Sequence, residues 1–178
     1  MINGVRHLDA FRKKAEADNQ PLPISISIGV DPAIEIASCF ESPTTPLGYN
    51  ELQIAGGLRD QAVELVKCKT VDEYCIANAE YVIEGELLPR LRVREDLNFN
   101  TGKAMPEFPG YTGPANPSLP IIKVKAITHR KNPIMQTVIG PSEEHVSLAG
   151  IPTEASILRM IEQAMPGKVL NEIGRAHV

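Results

Sequence analysis

Apolar residues recur along this chain with two different periods, and each change of period marks an element. From Val5 to Asn19, Leu8, Phe11 and Ala15 share one helical face while Arg12, Lys13, Lys14 and Glu16 take the other. This predicts an amphipathic helix, stopped by Pro21 and Pro23. Ile24, Ile26 and Ile28 then alternate with Ser25 and Ser27, the pattern of a half-buried strand that Gly29 breaks. Asp31-Pro32 opens a short helix to about Cys39, with Asp31 as N-cap and Pro32 at the first helical position. Residues 41–50 read as loop, and Glu51 to Leu58 as a short helix ending at Gly56-Gly57. Ala62 to Lys69 and Ala79 to Leu87 alternate as strands, the second less regularly at Val82 and Leu87. Pro89 to Pro120 reads as one long irregular segment, of a length that is usually functional or disordered. Leu119 to Arg130 is the strongest strand pattern, and Lys131-Asn132-Pro133 predicts a hairpin into another strand at Ile134–Ile139. Pro152-Thr153-Glu154 begins a last helix with Ile157, Leu158, Ile161 and Met165 as its apolar stripe.

Helix, strand, helix, several strands and helix, in that order, predict an α+β fold with a mainly antiparallel sheet or a partly open barrel. The regular strand–helix alternation of a doubly wound sheet is missing, as are a G-x-G-x-x-G run and a Walker loop, so nucleotide binding of those two kinds is unsupported. At 178 residues the chain can build one domain with a real core, and its 43% apolar and 22% charged content is ordinary for a globular protein. Aromatics are only 4%, without Trp, so that core must be aliphatic. A net charge of −4 with no basic run argues against nucleic acid as a partner. No apolar stretch reaches membrane-spanning length and no signal peptide opens the chain, which leads us to expect a cytoplasmic protein. Cys39, Cys68 and Cys75 are odd in number and lack C-x-x-C spacing, so reduced structural thiols are expected. Fifteen prolines and thirteen glycines imply short elements joined by shaped loops.

The segment from Gly102 to Tyr111 carries the sharpest chemical signal. It sets one carboxylate, Glu107, between Pro106 and Pro109. The prolines restrict the backbone on either side, so the acid sits on a stiff loop, and proton transfer needs a rigidly held acid. The bland alternative is a solvated turn acid.

Several ordered motifs, taken together, resemble one family. Val30-Asp31-Pro32-Ala33, Asn50 to Arg59, Glu64 to Cys68, Ala79 to Gly85 and Thr128-His129-Arg130 look like the central part of the UbiD-like decarboxylases. Thr101 to Tyr111 and Ile139 to His145 resemble one branch, the catalytic subunit of the non-oxidative hydroxyarylic acid decarboxylases. The likeness runs from about Arg6 to Asn171. It implies a partial split β-barrel, a flavin-reductase-like FMN-binding domain with flanking helices. It implies removal of CO2 from an aromatic carboxylic acid such as 4-hydroxybenzoate, vanillate, protocatechuate or gallate, with prenylated FMN and a divalent metal, usually manganese, as cofactors and potassium as a further candidate cation. A flavin prenyltransferase would supply the cofactor, and a homo-oligomer is implied for the full-length enzyme.

Carried over by position, the resemblance makes His7 and Glu51 metal ligands, places Arg6 beside the cofactor, and lays the loop Ser42-Pro43-Thr44 along the flavin and its phosphate. Without it, His7 would be a surface histidine, Glu51 a helix-terminal acid and the loop a plain turn. Glu107 corresponds to the acid that protonates the carbon from which CO2 departs. The family's commoner pattern has a second acid five residues earlier, where this chain has Gly102. One loop carboxylate then suffices, unless Glu95 or Asp96 moves in; Lys103 could bind the substrate carboxylate or a ring hydroxyl, but reads best as a solvated lysine. His129, Arg130 and Gln136 either face the ring or make structural hydrogen bonds. The family's enzymes are longer, so we expect an internal fragment: residues 1–171 a partial domain, and 172–178 a non-native tail resembling a translated sequencing adapter, in which His177 has no role. Such a fragment should be inactive alone and bind flavin weakly or not at all. Two other readings stand beside this one, a non-catalytic flavin-binding module and a structural domain without cofactor. Glu107 discriminates the first, and His7 with Glu51 the second.

Overall fold

The structure is a computed structural model describing residues 7–40, 44–96, 111–139 and 142–169, with the backbone alone at 104–106. It divides into two compact units, residues 1–30 with 64–137, and 31–63 with 138–178. The elements make an α+β fold in which every strand pair is antiparallel.

In the first unit, α1 (His7–Ala17) precedes β1 (Leu22–Ile28), which pairs with the long β4 (Tyr81–Val93). β4 is the middle strand of a three-stranded sheet, with β7 (Leu119–His129) on its far side. Gly29 ends β1 with φ +70°, and a Cβ there would lie 2.6 Å from Glu80 Cγ. The hairpin of β2 (Leu65–Lys67) and β3 (Tyr74–Ile76) is tied to β1 by the serines that alternation assigned to its polar face. Ser25 Oγ donates to the Tyr74 carbonyl (2.7 Å) and Ser27 Oγ accepts from the Ile76 N–H (3.3 Å). Beneath the hairpin lies the core of Cys68, Val71, Cys75, Ala79 and Val82. None of the three cysteines forms a disulfide.

Two features of this unit depart from the sequence expectation. The strand expected at 79–87 continues to Val93, past Pro89, because a register shift between Leu87 and Arg92 lets Arg90 turn to φ +58° without ending the ladder. The segment expected to be irregular also contains β5 (Ala104–Pro106) and β6 (Thr112–Pro114), paired with Pro106 opposite Thr112. Conversely, no strand forms at 134–139: Ile134, Met135 and Ile139 are exposed, and the Ile134 N–H bonds to Glu80 Oε2 (3.1 Å) rather than to a strand.

In the second unit, α2 (Pro32–Ser38) begins as expected, with the Asp31 carboxylate accepting from the Ala33 N–H at 2.9 Å. α3 (Leu52–Arg59) runs through Gly56-Gly57 instead of stopping there, and ends at Asp60 in the left-handed region (φ 52°). α4 (Glu143–Ala164) starts nine residues before the expected Pro152. Its N-cap is Ser142, whose hydroxyl accepts from the His145 N–H (3.2 Å), followed by Glu143 and Glu144 in the dipole-favoured first turn. Pro152 is instead buried inside the helix. Ala37 and Ala55 are fully buried, small residues that suit the packing of α2 on α3.

Candidate active site

α1 sits on the sheet by the face that its sequence marks as polar. Leu8 and Phe11 are exposed, whereas Asp9 is buried. The cause is an ionic ladder at helical spacing. Asp9 Oδ1 accepts from Arg12 Nε (2.9 Å) and Nη2 (2.6 Å), and Lys13 pairs with Asp9 Oδ2 (2.7 Å). Arg12 Nη1 reaches Glu16 Oε2 (2.5 Å), and Glu16 Oε1 accepts from the Arg90 N–H (2.7 Å) and Arg92 Nη2 (2.6 Å) of β4. The Lys13 and Arg12 hydrogen bonds hold the Asp9 carboxyl below its usual range against the opposing effect of burial. His7, the expected imidazole ligand, is the first residue of this helix.

Glu51 lies in the second unit, immediately before α3, with helical backbone angles and no capping bond from its side chain. Capping is done instead by Asn50, whose Oδ1 accepts from the Leu52 N–H (3.0 Å). Thr44 belongs to the same unit, where its hydroxyl is hydrogen-bonded to the Ser156 hydroxyl and its carbonyl accepts from Arg159 Nη1 (3.2 Å). Ser156 donates its own proton to the Pro152 carbonyl (2.9 Å), so the Thr44 proton goes to Ser156. Donation from Thr44 to a phosphate would require giving up that bond. Ser156 and Arg159, three apart on α4, escaped the sequence reading because a polar pair at helical spacing carries no signal of its own.

Arg6, Ser42, Pro43 and Glu107 lie outside the described residues. The paired segments on either side of 107–111 are described, and they make a two-stranded ladder with Pro106 at its end. The two acids weighed as substitutes for the missing second carboxylate are both engaged locally. Glu95 Oε2 accepts from the Asn116 N–H (2.9 Å), and Asp96, buried, takes both Nε (3.0 Å) and Nη2 (3.1 Å) of Arg94. His129 and Arg130 make structural bonds. His129 Nδ1 contacts the Arg130 carbonyl (2.7 Å), and Arg130 Nη2 donates to the Asn78 carbonyl (3.0 Å). A cavity of about 190 Å³ in the first unit is bordered by these two and by Lys67 and Lys69. Lys67 is already committed to Asp72 and to the Tyr74 ring, 4.7 Å from its centroid.

Glu84 went unnoticed as an individual residue. It is 1% exposed in the first half of β4, and its carboxylate accepts from the Lys69 N–H (2.9 Å), the Thr70 N–H (2.6 Å) and the Thr70 hydroxyl (2.7 Å). Burial pushes its pKa up, but those donors and the Lys69 charge win, so the group stays below the usual carboxylate range. It anchors the turn between β2 and β3. Nearby, Cys68 is pushed up to about 11 by burial and by its contact with Cys75.

Among the described residues, no cluster of three or more His, Cys, Asp or Glu side chains is gathered for a metal. The Glu51 carboxylate does not cap α3, and carboxylate oxygens are donors of the kind that a hard divalent cation takes.

Residues 2–143 match the family model described as UbiD, 3-octaprenyl-4-hydroxybenzoate carboxy-lyase Rift-related domain. The chain belongs to the UbiD family. It is 63% identical over 171 residues to gallate decarboxylase from Lactiplantibacillus plantarum, covering 96% of this chain and 35% of that protein. The apo crystal structure of 3,4-dihydroxybenzoic acid decarboxylase from Klebsiella pneumoniae superposes with a TM-score of 0.83 at 61% identity, over 96% of this chain and 35% of that one. The UbiD-class enzyme HmfF from Pelotomaculum thermopropionicum, in an evolved dimeric form in complex with prFMN, gives 0.81 at 44% identity, over 93% and 36%. The chain spans about a third of the length of the curated relatives it matches.

Proposed function

We propose that this chain supplies part of the active site of a non-oxidative decarboxylase that removes CO2 from hydroxylated aromatic acids of the gallate or protocatechuate type. The observation that carries this reading is identity above 60% across 96% of the chain to two proteins named as decarboxylases of such acids. The prFMN complex of a relative at 44% identity supports prenylated FMN as cofactor. In this reading, 1–171 is a partial split-barrel flavin-binding domain and 172–178 a non-native tail. Prenylated FMN, when bound, supplies the sink for the electrons released as CO2 leaves.

His7 and Glu51 would hold manganese at the cofactor phosphate, with potassium as an accompanying ion. Arg6 and the loop Ser42-Pro43-Thr44 would line the cofactor, with Arg159 near enough to the Thr44 carbonyl to add positive charge there. Glu107 donates a proton to the ring carbon from which CO2 has left. The local engagement of Glu95 and Asp96 supports a single loop acid. A flavin prenyltransferase would furnish the cofactor, the site would work in a cytoplasmic homo-oligomer, and the 178-residue chain alone would be inactive.

The test is a chimera in which residues 2–171 replace the matching third of the Lactiplantibacillus gallate decarboxylase, co-produced with a flavin prenyltransferase. CO2 release from hydroxybenzoates is expected. In that chimera Glu107→Gln should abolish turnover and leave flavin bound. Normal turnover by the Gln variant removes Glu107 from its role, and a folded, flavin-loaded chimera inert toward every hydroxybenzoate removes the substrate class.

A further inference from the structure

The ionic ladder under α1 has a geometric consequence that neither the family match nor the expected ligand set contains. A surface helix usually buries an apolar stripe, which tolerates small rotations because dispersion contacts are non-directional. α1 instead meets β4 through directed bonds, at the place where the β4–β7 ladder is interrupted and Arg90 stands at φ +58°. That interruption leaves the Arg90 N–H available, and Glu16 takes it together with the Arg92 guanidinium on one oxygen, while Arg12 holds the other. The Glu16 side chain is 18% exposed and that of Arg12 12%, so water competes little for the bond between these two.

We propose that Glu16 is a positioning residue: by bonding Arg90 and Arg92 on one oxygen and Arg12 on the other, it fixes the rotation of α1 about its axis and thereby the direction in which His7 leaves the first turn. Side-chain tips lie about 5–6 Å from a helix axis, so a rotation of about 20° moves an imidazole nitrogen by about 2 Å. Metal–nitrogen distances tolerate about 0.2 Å, so the rotational setting decides whether His7 can ligate. Arg12 carries the constraint toward the N-terminus through its two bonds to Asp9, two residues from His7. The inference rests on the reading of His7 as a metal ligand for its purpose, but not for its geometry.

The experiment uses the ¹⁵N-labelled 178-residue chain with Glu16→Gln, which removes the charge, and Glu16→Asp, which keeps it one methylene short. Hydrogen exchange at the Arg90 amide should rise about two- to fivefold relative to the β1–β4 ladder amides, because the glutamine oxygen keeps the Arg90 N–H without charge assistance while its NH2 faces the Arg12 cation, and the His7 ring resonances should move. The Asp variant should shift both in the same direction by less, and it decides the matter alone if the Gln variant fails to fold. Faster Arg90 exchange with unmoved His7 resonances means Glu16 is merely structural, which overturns the proposal; so does no change in either. A second arm uses the gallate decarboxylase chimera, produced with a flavin prenyltransferase, and compares its bound manganese by elemental analysis with and without His7→Ala. Manganese content unchanged by His7→Ala defeats the metal reading, while the ring resonances still decide the role of Glu16.

Discussion

Replacing Glu84 by Gln tests whether a buried charge is what holds the β2–β3 hairpin. The carboxylate serves three donors, one on Oε1 and two on Oε2. A glutamine offers one acceptor oxygen and one NH2. In its better orientation the oxygen keeps both Thr70 donors, and the amide nitrogen faces the Lys69 N–H. That orphans one buried backbone donor, at about 1–3 kcal/mol, and removes the charge assistance of the other two bonds, at about 0.5–1 kcal/mol each. Relief from burying a charge returns part of this, so the expected loss is about 2–4 kcal/mol near neutral pH. Without Trp in the chain, urea unfolding is best followed by circular dichroism, with hydrogen exchange at Lys69 and Thr70 as the local readout. The pH dependence has a definite sign. The folded-state pKa lies below the usual 4.5, so the unfolded state binds the proton more readily. Stability from this group is therefore fully present above about pH 5 and lost as pH falls through the depressed folded value. The gap between wild type and Glu84→Gln should be flat above that pH and close on acidification. A gap under about 0.5 kcal/mol at pH 7, or one independent of pH down to 3, would refute this account of the hairpin.

Two further outcomes follow from local geometry. Gly85→Ala would set a Cβ 2.7 Å from the Lys123 carbonyl oxygen and 2.9 Å from Ile122 Cγ2, so β7 must shift; a loss of about 1–3 kcal/mol in urea unfolding is expected, and an unchanged midpoint would contradict it. Cys68, buried and with its pKa raised to about 11, should resist iodoacetamide at pH 8 while the partly exposed Cys39 reacts, as mass mapping of the two peptides would show; equal labelling in the folded chain would count against the buried thiol.

Periodicity and punctuation determined a good deal of this protein without any coordinates. The N-cap at Asp31, the strand from Ile24 to Ile28, the strand from Leu119 and the α+β antiparallel class are all legible because each depends on residues close in sequence. The start of α4 was equally local: Ser142 followed by two glutamates is a helix opening, which Pro152 obscured because proline more often begins a helix than lies within one. The ligand candidates are a different matter. His7 and Glu51 are ordinary residues on their own elements, and only likeness across the whole ordered series of motifs singled them out.

What tertiary structure alone decided is where polarity goes. Hydrophobic periodicity put Leu8 and Phe11 inward, yet α1 buries Asp9 and bonds to β4 through Glu16. The partner that makes this favourable, an N–H released by a break in the β4–β7 ladder, lies 74 residues further along the chain. Ser25 and Ser27 were likewise assigned to solvent and instead hold the β3 backbone. A polar group is stable in an interior only when donors and acceptors from distant segments meet it at bonding distance. Sequence pattern records how polar a position is; only the folded chain supplies the partner that lets it be buried.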